Sequence, residues 1–148
     1  MQIQKVRIVS NNISFGPTPL PEDEVEQHLT ISASGRVWFT GYKYANGFDE
    51  FEICRRKQFA IGKAAAKEIL MLFSQYLNSN PLVWYATDIG QWKMVITDTE
   101  GNDYTFKGSL CGGVTVGNTN LTYYLREQIP VDDLLVFGAR LIRPDEEE

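Results

Sequence analysis

Residues 28–44 read HLTISASGRVWFTGYKY, and the way this stretch pairs with itself decides the fold. Leu29, Ile31, Val37 and Phe39 can share one face of a hairpin only if the turn between them sets the right register. A three-residue loop, Ala33-Ser34-Gly35, does so by placing Ile31 opposite Val37 and Leu29 opposite Phe39. It also puts Gly35 last, where a type I turn followed by a bulge needs the left-handed backbone that glycine adopts without steric cost. Turn chemistry and hydrophobic register therefore predict the same hairpin.

The same device recurs between Trp92 and Leu110. With Thr99-Glu100-Gly101 as the loop, Ile96 meets Tyr104, Met94 meets Phe106 and Trp92 meets Gly108. The opposite face then carries Lys93, Val95, Thr97, Asp103, Thr105 and Lys107, which predicts an antiparallel sheet with one wet side. Lys93 falls opposite Lys107, a like-charge pair that calls for water around it.

Outward from the hairpins, Gln2 to Val9 reads as a first strand with Val6 and Ile8 on one face. Asn11-Asn12, Gly16-Pro17, Pro19 and Pro21, followed by Glu22, Asp23, Glu24 and Glu26, read as a long solvated loop over residues 10–26. Phe48 to Phe59 reads as another strand. Lys63 to Leu77 has the periodicity of a helix, with Ala65, Ile69, Leu72, Phe73 and Tyr76 on a stripe that Ala66, Leu70 and Leu77 widen. Asn118 or Asn120 can cap a shorter helix through Ile129, with Leu121, Tyr124 and Leu125 inward and Pro130 ending it. Leu134 to Ile142 reads as a last strand. The expected class is α+β: an antiparallel sheet of about six to seven strands with two helices packed on one face. Residues 1–144 form one domain, and 145–148 an acidic tail.

The succession of LTISASGRVWFTGY, a strand ending near RRKQFAI, the helix AAAKEILMLF, and TDIGQWKMVITDTEGNDYTFKGSL resembles small bacterial α+β domains whose family has no assigned function. The resemblance spans Gln27 to Phe137. It implies the fold and brings no site residues with it.

Composition narrows the chemistry. The 148 residues carry 14 basic and 19 acidic side chains, for a net charge of −5. Four of those acids are the terminal Asp145, Glu146, Glu147 and Glu148, so the chain before them carries −1. Arg55, Arg56 and Lys57 are the only consecutive cations, and on a strand they alternate between faces, which argues against nucleic acid as a partner. Two cysteines, Cys54 and Cys111, form neither a CxxC pair nor a disulfide-rich pattern, and no leader or membrane-length run stands out, so a reduced, cytoplasmic setting is expected.

Catalytic residues are sparse. His28 is the only histidine available as a base. An enzyme reading would gather Cys111, Asp88 and His28 in one cleft, with Cys111 the nucleophile if its pKa were lowered. Residues 108–118 run from strand towards helix, where amides can cradle an anion, but they lack GK[ST], GxGxxG spacing and a lysine. The expectation is no cofactor and no metal. Asp88, Asp98, Asp103, Asp132 and Asp133 read mainly as turn or helix caps. The remaining signal is aromatic: Trp38, Tyr42 and Tyr44 fall on the face opposite Val37 and Phe39. They either pack under the loop 10–26 or bind something. The leading expectation is thus a non-enzymatic module that uses Trp38, Tyr42 and Tyr44 to hold a protein partner or a second copy. The alternatives are the small cysteine- or carboxylate-dependent enzyme, and a phage- or defence-related inhibitor. No membrane partner is expected.

Overall fold

Each predicted hairpin register is realised. Ile31 pairs with Val37 and Leu29 with Phe39 across strands β2 (Glu24–Ser32) and β3 (Arg36–Tyr44). Ile96 pairs with Tyr104, Met94 with Phe106 and Trp92 with Gly108 across β5 (Gln91–Asp98) and β6 (Asp103–Ser109). Both turn glycines are left-handed, Gly35 with φ 92° and Gly101 with φ 88°. These coordinates are a computed structural model, which describes residues 2–11, 24–44, 51–79, 90–110 and 114–138.

The hairpins are joined through the first strand. β1 (Ile3–Asn11) lies antiparallel between β2 and β5, and β4 (Phe51–Ala60) adds to the outer side of β3. The result is a six-stranded antiparallel sheet in the order β4-β3-β2-β1-β5-β6. Helix α1 (Lys63–Asn78) and helix α2 (Leu121–Gln128) cover one face of it. Between β6 and α2, β7 (Thr115–Val116) and β8 (Thr119–Asn120) form a small separate hairpin, where the sequence had suggested only a connection. Asn120 caps α2 by accepting a hydrogen bond from the Tyr123 amide at 3.2 Å.

The core lies between the helices and the inward residues of the sheet. Val6, Ile8, Ile31, Val37, Phe39, Met94 and Ile96 are all almost completely buried against Ile69, Phe73, Leu121 and Leu125. Each such side chain contributes about 1.5–3 kcal/mol on leaving water. The buried line of α1 runs through Ala66, Ile69, Leu70, Phe73 and Tyr76, a rotation from the expected stripe that leaves Ala65, Leu72 and Leu77 half-buried.

Two expectations need correction. The loop 10–26 is shorter than it reads, because β1 continues to Asn11 and β2 begins at Glu24. Glu24 and Glu26 are ladder residues with side-chain partners, and residues 12–23 lie outside the described residues. The last strand is also absent among the described residues: 134–138 are irregular backbone, with Asp133 and Val136 at φ 55° and 54°. Leu134, Leu135, Val136 and Phe137 are buried in succession, without a strand's alternation. Their backbone is held by side chains instead of a ladder. Arg126 Nε donates to the Leu134 carbonyl at 2.7 Å and its Nη2 to the Gly138 carbonyl at 3.0 Å. Gln27 donates to the Asp133 carbonyl and accepts from the Leu135 amide, both at 2.8 Å, and Ser10 donates to the Val136 carbonyl. This lets Phe137 turn inward against Trp92, ring centroids 4.9 Å apart at 77°. Residues 139–142 lie outside the described residues.

The two turn glycines should differ in what they tolerate. At Gly35 an added Cβ would sit 2.7 Å from the Gly62 carbonyl carbon, whereas at Gly101 it would meet nothing within 4 Å. Gly101→Ala is expected to cost about 1–2 kcal/mol, the left-handed backbone penalty alone. Gly35→Ala must also displace a backbone and should cost clearly more; urea denaturation of the two variants checks the order.

Candidate functional site

The face of the sheet opposite the helices is bare of any described element. The registers set its side chains in transverse rows. One row runs Thr105, Val95, Arg7, Thr30, Trp38, Gln58 from β6 to β4. The next runs Lys107, Lys93, Val9, His28, Thr40, Arg56. Lys5 and Arg36 stand at the turn end of the same face, and Glu26 and Tyr42 at the other. Six cations, Lys5, Arg7, Arg36, Arg56, Lys93 and Lys107, thus share the face with two carboxylates, Glu26 and Asp103. All six cations are exposed.

Both carboxylates are already engaged. Asp103 accepts from the Thr97 hydroxyl at 2.7 Å. Glu26 accepts from His28 Nε2 at 2.7 Å and from Asn11 Nδ2 at 3.0 Å. The His28 hydrogen bond holds the Glu26 carboxyl below its ordinary pKa against the opposing effect of burial. Arg7 Nη2 donates to His28 Nδ1 at 3.0 Å, since a guanidinium can only donate. The Tyr42 ring packs on the imidazole, centroids 4.7 Å apart. Lys5, Arg36, Arg56, Lys93 and Lys107 form no ion pair with any described residue.

The predicted aromatic face is therefore partly assembled. Trp38 is 39% exposed and points away from the core. Tyr42 shares its face but is half-buried on His28, and for Tyr44 only the backbone, paired with Phe51, is described. The Lys93–Lys107 pair is legible in the second hairpin, but its union with the other four cations is not. Lys5 and Arg7 stand at alternate positions of one strand, and gathering them with Arg36, Arg56 and the lysine pair requires the strand order.

Of the alternative cysteine site, only His28 is described. Cys111 and Asp88 lie outside the described residues. Both nitrogens of His28 are occupied, so it could serve as a base only by giving up Arg7 or Glu26. Among the described residues no three His, Cys, Asp or Glu side chains cluster as metal ligands. Asp98 acts as a turn cap: its carboxylate accepts from the Asn102 and Glu100 amides, both at 2.9 Å, and these bonds with those from the Asn102 side chain and Tyr104 lower its pKa against burial.

Cys54 lies in a different network. Glu24 receives Arg55 in a two-pronged pair, Nε to Oε2 at 2.7 Å and Nη2 to Oε1 at 2.8 Å, together with Gln27 Nε2 at 2.6 Å and Cys54 Sγ at 3.1 Å. The Arg55 guanidinium also stacks 4.8 Å from the centre of the Phe39 ring. Burial is the largest single influence on Glu24 and opposes its charge, but Arg55, Cys54 and Gln27 together outweigh it and lower the pKa. The Cys54 thiol is pushed up, first by burial and then by its bond to Glu24. Since Gln27 also holds residues 133–135, the network ties β2 and the edge strand β4 to the irregular segment and reads as structural.

On the helix side, a cavity of about 420 Å³ opens between α1 and the hairpin turns, lined by Ile3, Ala33, Leu70 and Met71 with Lys63 and Lys67 at its wall. No helix among the described residues is long and apolar enough to cross a membrane. No family model matches the chain, and no curated protein matches it.

Two outcomes follow for the Glu24 network. Glu24 has its pKa lowered by folding, so its ionised form contributes stability that is complete above the ordinary glutamate range near 4.5 and is lost as pH falls through the lowered value. Glu24→Gln should therefore lower the urea midpoint at pH 7 and flatten its decline in acid. Cys54, whose pKa is raised, should alkylate with iodoacetamide more slowly than a cysteine in an unfolded peptide at neutral pH. The same Glu24→Gln substitution should speed that labelling, measured by peptide mapping.

Proposed function

We propose that the protein is a non-enzymatic binding module that holds an anionic partner against the open face of its sheet. One observation carries the reading. A chain with a net charge of −5 collects six cations from five strands on a face that no described element covers, and five of them have no acidic partner among the described residues. Lys93 and Lys107 stand directly opposite one another, an arrangement that costs free energy in the unbound sheet. An anion laid across the pair turns that repulsion into attraction. The acidic residues of the helix side, Glu68, Glu127, Asp132 and Asp133, leave this field uncancelled on its own face.

The enzyme reading lacks comparable support. Of its residues, His28 is already bonded to Arg7 and Glu26, and Cys111 and Asp88 lie outside the described residues.

Heparin serves as a general polyanionic probe. The wild-type protein should bind it with an affinity that falls steeply with salt, as release of counterions requires. Reversing two charges on the face, Arg56→Glu with Lys93→Glu, should weaken binding by more than tenfold, while Lys67→Glu on the helix side leaves it nearly unchanged. Circular dichroism verifies folding. Absence of binding at low salt, or equal losses in the two variants, would overturn the reading.

A further inference from the structure

Consecutive cations alone argue against nucleic acid, but the cations that strand pairing gathers reverse that expectation: we infer that the anionic partner is a single-stranded nucleic acid, laid across the strands with a base stacked on Trp38. The inference rests on the binding reading above and goes further by naming the ligand. Phosphates alone would need only the cations, and an acidic peptide would have no use for an uncovered indole. The face offers both kinds of contact in alternation. Trp38 is exposed, with Arg36 two residues before it on the same strand and Arg56 in the next row of the adjacent strand. Gln58 lies opposite Trp38 and Thr30 on its other side, supplying an amide and a hydroxyl at the height where base edges would lie. From Arg56 on β4 to Lys93 on β5 the path crosses four strand spacings of about 4.8 Å each, a length that accommodates several nucleotides.

Shape selects the single strand over the duplex. A major groove admits a projecting helix or a two-stranded ribbon, and the cationic surface here is a broad sheet whose helices lie on the other side. An unpaired strand presents its bases as flat faces, and an aromatic ring on an open sheet stacks on them with little regard to sequence, while neighbouring cations hold the backbone. The rows predict that the backbone follows Lys107, Lys93 and Arg56, leaving bases to turn towards Trp38.

The test is fluorescence anisotropy of the full chain with a fluorescein-labelled oligo(dT) of about 12 nucleotides, within the range single sheet-based modules hold. Its duplex form and labelled polyglutamate serve as the competing ligands. The oligo(dT) should bind more tightly than either. Trp38→Leu should weaken that binding by about tenfold, the usual effect of losing one stacked base, and Trp38→Phe should restore much of it. The charge reversal Arg56→Glu with Lys93→Glu should abolish it. If polyglutamate binds as well as the oligonucleotide and Trp38→Leu changes neither, the nucleic-acid assignment falls while the anion-binding reading stands. Preference for the duplex would likewise overturn the assignment. If none of the probes binds, both readings fall together.

Discussion

Side chains on a strand alternate with a period of two, so a slip of one residue in either hairpin would exchange the apolar and charged faces of the whole sheet. Gly35 and Gly101 prevent that slip. Each accepts a left-handed backbone at the end of a three-residue turn, and each thereby commits nine or more flanking side chains to a face. β1 then transmits the register from one hairpin to the other, because its inward Val6 and Ile8 must meet Ile31 and Leu29 on one side and Ile96 and Met94 on the other. Gly35 has a further role. Its carbonyl accepts from the Ile61 amide at 2.7 Å, so the first turn also anchors the approach to α1.

The two faces created in this way do different work. The inner face is closed by α1, α2 and the irregular segment ending in Phe137, and its few polar residues are tied down. Gln27, Ser10 and Arg126 supply the hydrogen bonds that a strand neighbour would otherwise give to residues 133–138. A left-handed Val136 is an uncomfortable conformation for a β-branched residue, and these bonds, with the burial of Phe137, hold it there. The outer face has no such closure by any described element. Among the described residues its acids are bonded and most of its cations form no ion pair, so the described part of this face is positive.

His28 and Cys54 show why residue type alone is a poor guide to chemistry. An imidazole with free nitrogens near a thiol could activate it, but here each has been claimed by a neighbouring glutamate. Glu26 takes the histidine and Glu24 the cysteine. The carboxylates that looked like a solvated acidic run in the chain are the partners that quieten both groups. Their roles depend on β2 starting early enough to place them in the ladder.

The sequence by itself determined the two hairpins, their registers, the positions of both helices, a cap at Asn118 or Asn120 and the α+β class, because periodicity and turn chemistry act over a few neighbouring residues. It also placed Trp38 and Tyr42 opposite the core. It misread Leu134 to Phe137 as a strand, since four consecutive apolar residues carry no alternation to distinguish a ladder from a buried coil. Only the tertiary structure decided the strand order, with β1 at the centre, and therefore which distant cations became neighbours. Lys5, Arg7, Arg36, Arg56, Lys93 and Lys107 are scattered along the chain and meet only through hydrogen bonds between strands. A charged surface of this kind is a property of pairing across the sheet, which local sequence spacing does not encode.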